Sequence, residues 1–352
     1  MTSTKRFIDI LEESCWVRRR DFPNGVSCYN FTRDAFFEGH WDTATKSARG
    51  FFVKDGKIIA RGFNKFFYLK ESGIPNLTYP VRYERKENGY LGILSTLDGS
   101  LFYATKGYCG DDSELVNDFQ FCVESNIEDY ADGNFPEIAD FLVKHNCSAV
   151  FEVITARNQH VVDYHDKSPK SMGDVRPRVI LLSLIANTVE GEELPQSLVE
   201  EFAYLGDFDT PDTVCPTIWF YYRNEVNPCF MNEEELREHL PELINEDDVE
   251  GVVLTDAVGK KYKVKTAWYR EWKRIRGRIP RISKNGGGAN WGQQHKEFSK
   301  INTYVVDMVL NTMAPAFYAE TGHYIDIITL RNMYNALHRR LKDDLFYGGQ
   351  NV

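Results

Sequence analysis

The stretch RYERKENGYLGILSTLDGSLFYATKGY (82–108) decides how this chain reads. Two β-rich runs, YLGILST (90–96) and SLFYAT (100–105), flank Asp98-Gly99. Asp-Gly between such runs is a strong hairpin signal, because both residues tolerate the left-handed backbone a tight turn needs. Lys86 stands just before this hairpin, three residues ahead of Gly89. A lysine at the mouth of a strand pair can act as a nucleophile if its amine is held neutral, and both burial and neighbouring cations lower a lysine pKa. Standing alone, K-x-x-G is a weak pattern that a solvated turn lysine explains more simply.

Working outward, GFFVKDGKIIARGF (50–63) repeats the hairpin signature, turning at Asp55-Gly56. Residues 4–14, 113–129 and 136–145 read as helices. SAVFEVI (148–154), HVVDY (160–164) and RVILLSLIA (178–186) read as strands, the last a buried one. Asn232 followed by Glu233, Glu234 and Glu235 resembles a capped helix start running to about residue 244. EGVVLTD (250–256) and KKYKVKT (260–266) read as a third strand pair. NGGGANWG (285–292) is a Gly-rich break, and beyond it 293–312 and 326–343 have helical spacing. The expected domains are 1–277 and 293–352. There is no internal repeat.

The 352 residues, 42% hydrophobic and 27% charged, are ordinary globular composition and exclude a disordered chain, a collagen and a coiled-coil rod. No apolar run approaches the ~18–20 residues of a membrane span. The N-terminus lacks the apolar core of a signal peptide, so a cytoplasmic protein with no membrane partner is expected. Seven scattered cysteines without a C-x-x-C pair fit reduced thiols and argue against a zinc site. His40, His160 and His165 are not spaced as metal ligands. The net charge of −10 is uneven: Lys260–Lys284 holds eleven Lys/Arg against Glu271 alone, or +10, which leaves −20 for the rest. A concentrated basic stripe matters more for phosphate binding than the global sum.

In KKYKVKT, Lys261, Lys263 and Lys265 alternate and therefore share a face. They would repel one another unless an anion sits there or the edge is solvated. Glu152 is a lone acid in the apolar run AVFEVI, and Glu250 opens another, EGVVLTD. Each needs a partner, because an unpaired buried charge is costly: a salt bridge at the sheet edge, or else a sugar hydroxyl or a hydrated metal.

The order of these residues carries more than any of them singly. Lys86-x-x-Gly89, Glu152, Glu250-Gly251 and Lys263-x-Lys265 together resemble the covalent nucleotidyltransferase superfamily of ATP-dependent ligases and capping enzymes. ARGFFVKDGKIIARGFNKFFYLKE (48–71) resembles the upstream block of the phage-type RNA ligase 1 family of tRNA repair, through Arg49-Gly50 and Lys65-Phe66-Phe67. ATKGY puts Lys106 where that family has a lysine after the second hairpin. FEVITARNQHVVDY (151–164) and DVEGVVLTDAVGKKYKVKTAWY (248–269) resemble its later motifs, and the resemblance spans roughly 10–270. One departure is Lys86-Glu87-Asn88-Gly89, where the third residue is more usually Asp; Asn keeps the hydrogen-bonding shape and loses the charge. The C-terminal helices are not an obvious match to the family's tRNA-specificity module.

The resemblance implies an α+β fold, an antiparallel-sheet adenylyltransferase domain followed by a smaller all-helical one. It implies an ATP-dependent RNA ligase that joins 3′-OH and 5′-phosphate ends through enzyme-lysyl-AMP and RNA-adenylate, with Mg²⁺ or Mn²⁺. The RNA would be one such as a cleaved tRNA, with an end-healing kinase/phosphatase as a candidate partner. Lys86 would be the nucleophile, with Arg49, Lys65, Phe67, Glu87, Gly89, Lys106, Glu152, Lys263 and Lys265 holding the nucleotide. Glu152 and Glu250 would serve the metal, through water. Arg270, Lys273, Arg274, Arg276 and Arg278 follow the last motif, and Trp268, Tyr269 and Trp272 interleave with them. That mixture suits single-stranded RNA by stacking and charge together; an amphipathic helix with its aromatics packed inward is the other reading.

Two rivals stand. A DNA ligase or a GTP-dependent capping enzyme would share the lysine chemistry, but both usually carry an OB-fold where a helical pattern follows here. A decayed, RNA-binding ligase fold predicts loss of the lysine or the acids, and all are present.

Overall fold

The computed structural model describes residues 3–72, 74–130, 133–158, 160–164, 177–211, 229–285, 295 and 297–347. The Gly-rich stretch 286–292, His165 and Cys215 lie outside them. The chain divides into two compact units: Met1–Asn158 with Tyr164–Asn232 and Val253–Lys263, and Gln159–Asp163 with Glu233–Val252 and Val264–Val352.

In the first unit, α1 (Ser3–Glu13) leads into an antiparallel meander of β1 (Val17–Asp21), β2 (Ser27–Phe31), β3 (Arg49–Lys54) and β4 (Lys57–Arg61). Two short helices, α2 (Arg33–Glu38) and α3 (Thr43–Ser47), interrupt it between β2 and β3. β5 (Phe67–Tyr68), α4 (Leu69–Ser72) and β6 (Val81–Arg85) follow. A second antiparallel sheet has the order β10 (Arg178–Ala186), β9 (Cys147–Ile154), β7 (Tyr90–Leu97), β8 (Ser100–Thr105). α5 (Glu114–Tyr130), α6 (Phe135–Lys144) and α7 (Gln196–Gly206) complete the unit's longer helices.

Period-two alternation explains the layering, since neighbouring residues of a strand face opposite sides. Phe51 packs with Phe7, Ile8 and Leu11 of α1. Its neighbour Phe52 packs with Ile93 and Phe102 of the second sheet. Ile93's own neighbour Leu94 faces Phe119, Val123, Phe141 and Phe202 on α5, α6 and α7. The inner strands β3, β7 and β9 are thus buried on both faces and read as near-continuous apolar runs, whereas the edge strand β1, VRRRD, is largely exposed. Both Asp-Gly turns form as expected, with φ of 50° and 71° at Asp55-Gly56 and 53° and 84° at Asp98-Gly99.

The third sheet has the order β11 (Cys229–Phe230), β6, β12 (Gly251–Thr255), β13 (Lys261–Lys265), β5. β13 runs parallel to β5, with Tyr262 opposite Phe67. The division between the units falls inside β12 and β13.

The second unit holds α8 (Glu233–Asn245), α9 (Ala267–Arg276), α10 (Ile279–Asn285), α11 (Thr303–Thr321) and α12 (Ile327–Tyr347). Three expectations change here. The segment 160–164 is not a strand: Val161 is buried, but its carbonyl accepts from the buried Arg331 guanidinium at 2.6 Å, not from a neighbouring strand. The helix expected from 293 begins at Thr303, because the backbone N–H groups of Ser299, Lys300 and Ile301 donate to the buried Glu271 carboxylate (2.7, 3.0 and 3.0 Å). Asn302 then caps α11 by accepting from Tyr304 and Val305. The second unit also takes in α8 and 159–163, so its limits differ from a single boundary near 277–292.

Candidate active site

Lys86 lies in the turn between β6 and β7, its Nζ donating to the Glu87 carbonyl at 3.2 Å. Glu87 and Asn88 are buried, at 3% and 4% exposure. The Glu87 carboxylate meets Arg85 Nε at 3.1 Å and accepts from the Tyr164 hydroxyl at 2.5 Å. That hydroxyl also accepts the Asn88 N–H at 2.8 Å. Burial first, and the Glu87 charge second, push the Tyr164 phenol well above its ordinary pKa, so it remains a donor.

Gly89 donates its N–H to Glu152 Oε1 at 2.6 Å, from β7's side of the sheet to the neighbouring strand β9. A Cβ at Gly89 would sit 2.1 Å from the Val153 carbonyl oxygen, so only glycine lets the two backbones approach this closely. Glu87, Asn88 and Gly89 are therefore fixed by one glycine contact, the Glu152 carboxylate and one buried tyrosine.

Cations gather in the same unit. Arg49 donates to the Phe63 carbonyl at 3.4 Å; burial lowers its pKa and the Glu152 charge opposes the shift. Lys106 Nζ lies 4.5 Å over the Phe31 ring. Its pKa falls to about 8, chiefly through burial, then through the fields of Arg49, Arg18 and Lys65. Lys65 Nζ covers the rings of Phe67 (3.9 Å) and Trp41 (4.7 Å). Phe67 thus has a lysine on its face, a packing arrangement that supports Lys65. Lys263 Nζ lies 4.3 Å over Phe66, whereas Lys261 pairs with Glu193 at 3.3 Å.

In the second unit, Lys265 and Glu250 form an ion pair at 2.6 Å, with Lys265 Nζ 4.6 Å over Tyr269. Gly251 has φ +141°, and a Cβ there would meet the Val264 carbonyl oxygen at 2.0 Å. This glycine does for Glu250 what Gly89 does for Lys86.

The interleaved aromatics of α9 do not offer the stacking faces expected of them. Trp268, Tyr269 and Trp272 are 7%, 3% and 2% exposed. They point into the core because Thr266 caps the helix, accepting from Tyr269 N–H and donating to the Val249 carbonyl, and so fixes its rotation. Arg270, Lys273, Arg274 and Arg278 remain exposed, Arg274 paired with Glu297, while Arg276 is half-buried beside His160.

The sequence reading did not single out Tyr164, Trp41 or Phe31. Tyr164 ends the FEVITARNQHVVDY segment and could have been suspected there; nothing in the local pattern marks the other two. Among the described residues no cluster of three His, Cys, Asp or Glu side chains could hold a metal. No helix among them is long and apolar enough to cross a membrane.

A family model described as RNA ligase matches residues 47–269. No curated protein matches the chain. Solved structures similar to it include an archaeal ATP-dependent RNA ligase (15% identity, TM-score 0.47, 97% of this chain and 76% of that one). Another is a putative ATP-dependent DNA ligase of Aquifex aeolicus (15%, 0.44, 97% and 78%). A variant of the Naegleria gruberi RNA ligase with ATP and Mn is also similar (14%, 0.41, 72% and 76%).

Proposed function

The chain belongs to the RNA ligase family, and from that membership we propose that it seals RNA 3′-OH and 5′-phosphate ends at the expense of ATP, in the repair of broken RNA such as cleaved tRNA. The observation that carries this reading is the 2.6 Å bond from Gly89 N–H to Glu152, which latches the Lys86 turn against the acid implied to serve the nucleotide.

In the first step, deprotonated Lys86 Nζ attacks the α-phosphorus of ATP. The P–N bond forms, the bond to the β-phosphate breaks, and pyrophosphate leaves with the electron pair. The AMP then passes to the RNA 5′-phosphate as the P–N bond breaks and Lys86 regains its proton. Finally the 3′-OH attacks the activated phosphorus, its proton is lost, and AMP departs. Such transfers rely mainly on positioning and charge stabilisation.

Arg49, Lys65, Lys106, Lys263 and Lys265 would bind phosphate oxygens, Arg49 by its planar fork. Glu87 would hold the Lys86 turn through Tyr164, and Glu152 would receive the ribose hydroxyls. Glu152 and Glu250 each offer carboxylate oxygens, the donors Mg²⁺ or Mn²⁺ takes, and each would serve such an ion through water. When bound, that ion would neutralise charge on the transferring phosphate. The exposed cations of α9 would touch the RNA backbone as point charges, without base stacking. Ends of the wrong chemistry would need an end-healing kinase/phosphatase first.

The test is incubation with α-³²P-ATP and Mg²⁺ beside α-³²P-GTP and a Lys86→Ala control. An ATP-specific covalent label, absent in the variant and followed by sealing of RNA ends, supports the reading. Labelling by GTP would make the chain a capping enzyme, sealing of DNA ends alone a DNA ligase. No label on protein stripped of AMP would leave a binding module.

A further inference from the structure

The helix α2, RDAFFE, packs against expectation. Its one buried residue is Ala35, while Phe36 and Phe37 are 53% and 67% exposed. Large aromatics are ordinarily the residues a helix buries, and an exposed contiguous apolar patch marks a contact surface. The helix is nonetheless firmly made. Thr32 caps it by accepting from the Ala35 N–H, and Gly39 closes it in the left-handed conformation. The rings are therefore held outward by a defined backbone.

They also belong to a connected series. Phe37 and Phe36 lie 5.6 Å apart, Phe36 lies 6.3 Å from Trp41, and Trp41 lies 5.2 Å from Phe31 and 5.6 Å from Phe67. The contacts are edge-on, at 73–87° between planes, and at the exposed end of the series Phe36 and Phe37 keep most of their ring surface open. Cations accompany the series along its length. Arg33 lies 5.1 Å from Phe37, Lys65 covers Trp41 and Lys106 covers Phe31. Asp34 and Glu38 on the same helix disfavour phosphates at its tip, so the tip suits bases and the lysines suit backbone. Aromatics joined to cations are the composition that binds single-stranded nucleic acid, because every base has a face to stack and every phosphate a charge to meet.

We propose that Phe36 and Phe37, with Arg33 beside them, form a stacking platform for unpaired bases of the RNA substrate, leading along Trp41 to the phosphate-binding lysines Lys65 and Lys106. This rests on the RNA ligase reading and gives that site the single-stranded contact α9's buried aromatics do not supply.

The test uses the full chain without ATP and a fluorescent 12-nucleotide single-stranded RNA bearing a 5′-phosphate. Phe36→Ala/Phe37→Ala should weaken binding about 10- to 100-fold, since each lost stack is a large fraction of such an affinity. Phe36→Tyr/Phe37→Tyr should restore it. Arg33→Ala, which removes the cation over Phe37, should weaken binding while leaving the slope of log K against log salt nearly unchanged, since the tip meets bases and not phosphates. Both rings being exposed, the alanine variant should keep its circular dichroism and its labelling at Lys86 by ATP. Unchanged RNA affinity in that variant, while the wild-type protein labels and seals, overturns this inference and leaves the ligase reading intact. Failure of the wild-type protein to label overturns the ligase reading itself. If the alanine variant differs only in passing from dimer to monomer by light scattering, a second copy covers the patch and the inference is likewise overturned.

Discussion

The Tyr164 hydroxyl donates to Glu87 Oε2 at 2.5 Å and accepts from the Asn88 N–H, so one buried phenol orients two consecutive residues beside Lys86. The Arg178 guanidinium lies 5.2 Å from the same ring. Tyr164→Phe keeps the ring and removes both bonds, leaving a buried carboxylate short of a donor. The variant should lose about 1–3 kcal/mol of stability. Enzyme-AMP formation in a single turnover should slow by about 10-fold or more with little change in the ATP concentration giving half-maximal rate. A rise confined to that concentration would mean that Tyr164 serves ATP binding instead of the lysine.

Gly89→Ala places a Cβ 2.1 Å from a backbone oxygen, and backbone cannot swing aside as a side chain can. The turn must move away from β9, breaking the bond to Glu152. Enzyme-AMP formation should fall below one per cent of wild type, with stability reduced by about 1–3 kcal/mol. Gly107→Ala is the control, since a Cβ there has its nearest neighbour, Asn30 Nδ2, at 3.7 Å. Equal losses in both variants would remove the argument from close approach.

Much of this was legible in the sequence, for reasons that are local. Asp55-Gly56 and Asp98-Gly99 specify their turns within two residues, and the β-rich runs on either side of each mark the strands they join. The spacing of Lys86 and Gly89 is likewise a property of four consecutive residues. What was not legible depends on distant partners. Val161 and Val162 look like strand residues, and only Arg331, 170 positions away, reveals why the segment is not one. The helix start at Thr303 depends on Glu271. The aromatics of α9 look like a stacking surface until the Thr266 cap fixes which side of the helix faces inward, and the aromatics that do face out, Phe36 and Phe37, carry no local mark.

Lys106 makes the protein's stability depend on pH in a definite direction. Its folded pKa is about 8, against an ordinary 10.5. Between those values the unfolded chain binds more protons than the folded one, so this group makes stability rise with pH across that window, and the cost of burying its charge is fully present below pH 8. Lys106→Met should therefore stabilise the protein by about 1–2 kcal/mol at pH 7, allowing for partial exposure, and by less at pH 10. Urea unfolding at the two pH values checks this. ATP binding should respond oppositely, weakening in the variant at pH 7 and in the wild type as pH rises through 8. A stability gain equal at both pH values would show that Lys106 is not the titrating group.

Glu271 is the second unit's internal anchor: 6% exposed, it gathers three consecutive backbone N–H groups from Ser299 to Ile301, and the Ser299 hydroxyl as well. A carboxylate can accept all of these, whereas an amide offers one oxygen and a pair of donors that would face other donors. Glu271→Gln should cost about 2–3 kcal/mol, because charged acceptors make the stronger bonds and buried donors would be left unmet. Amide exchange should accelerate most at 299–301 and at the start of α11, whose Asn302 cap depends on the preceding turn. Labelling of Lys86 by ATP, measured well below the unfolding temperature, separates this anchoring role from a catalytic one: exchange that accelerates while labelling holds identifies a structural clasp. Exchange unchanged at 299–301 would mean that the turn is held by its own sequence and that Glu271 merely fills the space beneath it.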